Sequence, residues 1–77
     1  MLPAHITLDL TQFGEWLYRE RTRQHLRQSD LSKKSKVNHV MISKYENGSN
    51  PRLSIFMRIL DALGYDVVIE LKRKDQR

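Results

Sequence analysis

The sequence predicts a small, mainly α-helical domain of four to five helices closed by a C-terminal β-strand, and three observations predict it. Apolar residues recur at spacings of three and four in several separate segments of the 77-residue chain. Helix punctuation falls between those segments, with Asn38 placed as a cap and Gly48, Pro51 and Gly64 as stops. After Gly64 the apolar period changes to two. A chain of this length is expected to fold as one domain, residues 1–77, and to bury only about 60% of its unfolded surface, which makes a deep catalytic cleft improbable.

The first helix opens at Asp9 or Thr11, either of which can cap free amides, with Gln12 placed for a capping box if Asp9 is the cap. Leu10, Phe13, Leu17 and Arg21 share one stripe, so the helix buries its first half and turns basic toward His25. Leu26 leads into a second helix, Gln28 to Ser35, only about two turns long, in which Leu31 is the main inward residue. Lys36 and Val37 make a tight link, and Asn38 caps a third helix running to about Asn47. Within it Ile42 and Tyr45 face inward, while His39, Val40, Ser43, Lys44 and Asn47 fall on the other side.

After the Ser49-Asn50-Pro51 loop, Leu53, Phe56, Met57, Leu60 and Leu63 repeat at three and four, and Ile55 and Ile59 widen that apolar stripe. Tyr65, Val67, Ile69 and Leu71 then alternate with Asp66, Val68, Glu70 and Lys72, the pattern of a half-buried strand over about residues 65–72. One strand cannot satisfy its own backbone, so it must pair with the Ile6 to Leu10 segment or with the same strand of a second chain. The broad apolar face of the last helix favours the second chain. Ile55, Ile59, Tyr65, Val67, Ile69 and Leu71 are therefore the expected homodimer interface.

Composition excludes several classes. Without cysteine there is no disulfide framework, cysteine-bound metal or thiol nucleophile. No apolar run approaches the roughly 20 residues needed to cross a bilayer, and the MLPAHITLDLTQ start lacks a basic leader and a small-residue cleavage site, so a cytoplasmic location without membrane attachment is expected. His5, His25 and His39 have no metal-ligand spacing, and no cofactor is expected. No Ser, His or Asp stands beside a base in a way that sequence can argue, which speaks against an enzyme. Trp16 and Tyr18 read as hydrophobic or interface residues rather than base-stacking ones.

The excess charge is concentrated in the middle of the chain. Eight cations (Arg19, Arg21, Arg23, Arg27, Lys33, Lys34, Lys36 and Lys44) stand against Glu20 and Asp30 between positions 19 and 44, so this segment carries +6 of a net +5 and the rest of the chain is about neutral at −1. That is the footprint of a surface that meets phosphates. Lys72, Arg73, Lys74 and Arg77 close the chain as a second, frayed basic cluster. Two short helices joined by a brief link, the second one polar on its free face, describe a helix-turn-helix over about residues 28–47. The second helix of such a motif fits the major groove of double-stranded DNA. Asn38, His39, Val40, Ser43 and Lys44 are then the expected base contacts: Lys44 can donate to guanine, His39 can donate or accept, and Val40 offers an apolar contact to a thymine methyl.

Arg21, the run Leu26-Arg27-Gln28-Ser29-Asp30-Leu31, Val37-Asn38, the run Ile42-Ser43-Lys44-Tyr45-Glu46-Asn47-Gly48, Pro51 and the Leu53 to Leu63 helix together resemble the lambda-repressor/Cro (XRE) family of helix-turn-helix domains. Glu46-Asn47-Gly48 after Ile42-Ser43 is the most specific part. The resemblance implies that Gln28 and Asn47 bind phosphates and that Arg21 and Glu46 form a buried ion pair between the first and third helices. Thr11-Gln12-Phe13 and the unbroken passage from Phe56 through Leu63 into the strand look like the HipB-type antitoxins, whose terminal strands pair across a dimer. That likeness implies a palindromic operator, autoregulation and a HipA-like kinase toxin as partner; the alternative is a stand-alone prophage or mobile-element regulator without a toxin. Two positions depart from the family pattern. Arg27 stands where a capping Ser or Thr is usual, a loss of about 1 kcal/mol. Lys36 stands where Gly is common, with a strain of roughly 1–2 kcal/mol if the backbone is left-handed and a phosphate contact as the compensation.

Overall fold

The computed structural model describes residues 5–76. Its helices are α1 (Phe13–Arg23), α2 (Gln28–Ser35), α3 (His39–Glu46) and α4 (Leu53–Ala62), with single 3₁₀ turns at Leu10–Gln12 and Lys74–Gln76. α3 packs against α1 and α2, and α2 packs against α4. Each helix contributes one side chain with no exposed surface, namely Leu17, Leu31, Ile42 and Ile59. Phe13, Val37, Tyr45, Leu60 and Leu63 complete the core. Phe56 extends it outward, its ring 5.0 Å from that of Phe13.

Leu10 departs from the expected stripe. Asp9 accepts from the Thr11 amide at 2.9 Å and its hydroxyl at 2.7 Å, and this cap holds a 3₁₀ turn before α1 begins. The tighter turn rotates Leu10 out of register, leaving it 61% exposed. On α4 the inward stripe runs through Phe56, Ile59, Leu60 and Leu63, while Leu53 and Met57 face outward. Ile59 is thus central to the chain's own core, with no side-chain surface left for a partner. Its expected place in a dimer interface is corrected accordingly.

The C-terminal segment is extended but unpaired: among the described residues no strand forms, either with Ile6–Leu10 or elsewhere. A ladder needs a second backbone, and none lies alongside. Tyr65 turns inward. Its hydroxyl donates to Glu20 at 2.8 Å and its ring meets Trp16 edge-on at 5.8 Å. Ile55 and Val67 are half-buried against the core, whereas Ile69 and Leu71 are exposed.

Glu20, buried on α1, is the acceptor that fastens this end of the chain. Arg23 donates to both of its oxygens at 2.9 and 2.5 Å, and Gln24 bridges it to the Leu63 carbonyl, each leg 2.8 Å long. The Arg23 guanidinium, helped by Gln24 and Tyr65 and opposed by burial, holds the Glu20 carboxyl at about 2 instead of 4.5.

Helix ends follow the same local logic. After α1 the Leu26 amide reaches the Arg21 carbonyl and the His25 amide that of Thr22, a Schellman closure with His25 in the left-handed region at φ +60°. α3 closes the same way through Ser49 to Lys44 and Gly48 to Tyr45, and the φ of +113° at Gly48 suits a residue without a β-carbon. Gly14 serves a different purpose. A β-carbon there would lie 2.4 Å from the Tyr45 carbonyl oxygen and 3.0 Å from that of Glu46, so the last turn of α3 seats directly on the α1 backbone.

Two stability predictions follow from these contacts. Gly14→Ala gains about 1 kcal/mol of helix propensity yet forces two backbones apart, so the urea midpoint should show a net loss of about 2 kcal/mol or more. Glu20 has a depressed pKa in the folded state, so its contribution is complete above the ordinary carboxylate pKa and is lost as pH falls from 4.5 toward about 2. With Arg23 half-exposed and solvent-screened, that loss should be about 2 kcal/mol, and Glu20→Gln should remove this part of the acid dependence in pH-resolved denaturation.

Candidate nucleic-acid interface

The link between α2 and α3 is three residues long, and each has a separate task. Lys36 ends α2 in the left-handed conformation, φ +61°. Val37 is buried. Asn38 caps α3, its Oδ1 accepting from the Val40 amide at 2.7 Å. Three further bonds hold the link from below: Ser35 Oγ accepts from the Val37 amide at 3.2 Å, and Arg58 of α4 donates to the Ser35 and Lys36 carbonyls at 3.2 and 2.5 Å. The Arg58 contact could not be foreseen from sequence, because it joins positions more than twenty residues apart.

At the other end of α2, Arg27 has no acceptor with which to cap the helix. Asp30 compensates from the third helical position, accepting from the Arg27 amide at 2.8 Å and from its guanidinium at 3.1 Å. The expected loss of a cap is therefore only half realised.

Ile42 and Tyr45 anchor the inner face of α3, which leaves Asn38, His39, Val40, Lys44 and Asn47 exposed and Ser43 half-buried. Met41 joins this outer face at 37% exposure; its spacing of three from Lys44 is the signal that would have included it. Asn38 uses its oxygen as the cap, so only its amide N–H groups remain free for a ligand. Asn47 donates one side-chain N–H to the Ser43 carbonyl at 2.7 Å. Gln28, in the first turn of α2, donates to Glu46 at 3.1 Å.

Glu46 turns inward from the last turn of α3 to meet Arg21. Arg21 Nε donates to Oε2 at 2.6 Å and its terminal nitrogen to Oε1 at 3.0 Å, with side-chain exposures of 10% and 5%. The other terminal nitrogen reaches the Leu26 carbonyl at 2.8 Å, and the guanidinium lies 5.4 Å from the Tyr18 ring. The Glu46 carboxylate raises the Arg21 pKa above its ordinary value, against the opposing effect of burial. One side chain thereby fixes α1, the turn before α2, and α3.

The basic charge divides between two uses. Arg19, Arg21, Arg23 and Arg27 each face an acidic partner within the chain. Lys33, Lys34, Lys36 and Lys44, on α2, the turn and α3, form no ion pair among the described residues. Four unneutralised cations thus stand on the two motif helices and the turn between them, donors suited to an anionic ligand. Among the described residues, no group of three His, Cys, Asp or Glu side chains stands close enough to hold a metal ion, and no helix is long and apolar enough to cross a membrane.

A search of curated proteins finds no match. A family model described as helix-turn-helix matches residues 17–69, from the middle of α1 through the extended segment after α4. With the α2–turn–α3 geometry at its centre, the chain belongs to the XRE-type helix-turn-helix family of DNA-binding transcriptional regulators, that of lambda repressor and Cro.

Proposed function

We propose that the protein is a sequence-specific repressor that binds a palindromic operator as a homodimer, with α3 of each copy in the major groove of one half-site. The observation that carries this reading is the outer face of α3, where His39, Val40, Met41 and Lys44 stand exposed amid lysines free of intramolecular ion pairs. Asn38, His39, Val40, Ser43 and Lys44 read base edges, Lys44 donating to guanine O6 or N7 and Val40 meeting a thymine methyl. Gln28, Lys36 and Asn47 bind phosphates and set the register. Half-sites stand about one helical turn, roughly 34 Å, apart.

Support for a second copy comes from the extended backbone after α4. Ile69, 61% exposed, lines a largely apolar groove together with Phe56, Leu60 and Trp16, and Leu71 is 90% exposed. Strand pairing between two copies would satisfy that backbone and cover these side chains. The antitoxin reading, with a HipA-like kinase as partner, rests on the likeness of Thr11-Gln12-Phe13 and of the α4-to-strand passage to HipB-type proteins. A stand-alone regulator uses the same DNA face without that partner, and a kinase-like reading frame beside the gene would separate the two.

Lys44→Ala should weaken binding mainly at its cognate base pair, by about 1–3 kcal/mol, whereas Gln28→Ala should weaken operator and scrambled duplex alike. Equal losses on both duplexes for both variants would contradict this division. Lys36→Gly should act with opposite signs on two assays: relief of left-handed strain raises stability by about 1 kcal/mol, while loss of the ammonium lowers DNA affinity and flattens its salt dependence. Sedimentation at micromolar concentration should give a dimer, and Ile69→Lys with Leu71→Lys should give a monomer that still folds. A wild-type monomer would remove the dimer from the account.

A further inference from the structure

Gln28 stands in the first turn of α2, and its side-chain amide is held before any ligand arrives. Nε2 donates to Glu46 Oε1 at 3.1 Å, and the same oxygen accepts from Arg21 at 3.0 Å, while Glu46 Oε2 accepts from Arg21 Nε at 2.6 Å. We infer that Glu46 is a positioning residue for DNA-backbone binding, orienting the Gln28 amide so that its second N–H is presented to a phosphate. The inference rests on the DNA-binding reading above.

The chemistry of the acceptor fixes the orientation. A carboxylate only accepts, so the Gln28 amide must turn its nitrogen, not its oxygen, toward Glu46. That nitrogen carries two hydrogens, one of which is taken. A phosphate also only accepts, and the remaining N–H is the group it requires. An unrestrained glutamine would have to order three side-chain torsions on binding; here a bond to a 5%-exposed carboxylate restrains them in advance. Arg21 completes the arrangement by balancing the charge of Glu46, which would otherwise repel a phosphate beside Gln28. The contact that locks α1 to α3 thereby prepares the ligand on α2.

The test is a double-mutant cycle read by fluorescence anisotropy on a duplex from the protein's own upstream region and on a scrambled duplex. In Glu46→Gln the amide oxygen keeps the shorter bond, the one from Arg21 Nε, which places the NH₂ group where Oε1 accepts from Gln28. The new NH₂ group then favours the Gln28 oxygen, which turns the Gln28 nitrogen away. Gln28→Ala should weaken binding about tenfold in the wild-type background and about twofold or less in the Glu46→Gln background. Were Glu46 only structural, the two substitutions would act independently; an undiminished loss in Glu46→Gln overturns the inference. Relaxation of the Gln28 side-chain ¹⁵N in the wild-type protein without DNA provides a readout that needs no variant to fold. An order parameter near the rigid-backbone value of about 0.85 is expected, and one below about 0.6 overturns the positioning role. Wild-type protein that binds neither duplex overturns the DNA-binding reading and this inference with it, whereas wild-type binding with an undiminished Gln28→Ala effect overturns the positioning role alone.

Discussion

The Arg21–Glu46 ion pair is the interaction on which the remaining geometry depends. Burying two charges is expensive, and this pair meets the expense with a two-point guanidinium–carboxylate contact and a further bond from Arg21 to the Leu26 carbonyl. Removing one partner would strand a charge of the other sign in the interior, a loss of about 3–5 kcal/mol. Such an interaction is more selective than apolar burial, because it is favourable only at one depth and one angle of approach. Gly14 permits that depth by letting the α3 backbone rest on α1, and Ile42 and Tyr45 are buried in the core on the same helix. The orientation of α3, and with it the direction of His39, Val40 and Lys44, follows from these contacts.

Between positions 19 and 44 charge is sorted by residue type. Arginines 19, 21, 23 and 27 all face carboxylates within the chain, where planar, multidentate donors suit fixed acceptors. The cations left on α2, the turn and α3 are lysines, compact charges on flexible stems that adapt to phosphates. A simple count of the basic middle segment thus exaggerates the free charge. Arg58 adds a third use, closing the carbonyls at the end of α2 and so stiffening the turn between the two motif helices.

Much of this was legible in the sequence because it is local. Spacings of three and four placed Leu17, Leu31, Ile42, Tyr45 and Leu60 in the core, and the chemistry of Asn38 and Gly48 marked the limits of α3. The left-handed backbone at Lys36, φ +61°, was open to expectation only through the family resemblance, which commonly has Gly at that position. What escaped was decided by contacts between distant positions. Gly14 resembles any mid-helix glycine until α3 is seated on it. Glu20 looks like a surface acid, yet it collects Arg23, Gln24 and Tyr65, and that network draws Tyr65 inward. Ile59 and Met57 are equally apolar, and only the packing of α4 on α2 chose the isoleucine for the core. The alternation after Gly64 signals a strand, but pairing depends on a second backbone that one chain does not supply.

The most direct test of the central claim, that the α2–turn–α3 surface is where DNA binds, is an amide chemical-shift titration of the protein with a duplex from its own upstream region. Perturbations concentrated at Gln28, Lys36 to Lys44 and Asn47, with the α4 and C-terminal resonances unchanged, are the predicted result. Shifts confined to α4 and residues 65–71, with α3 unmoved, would contradict the account.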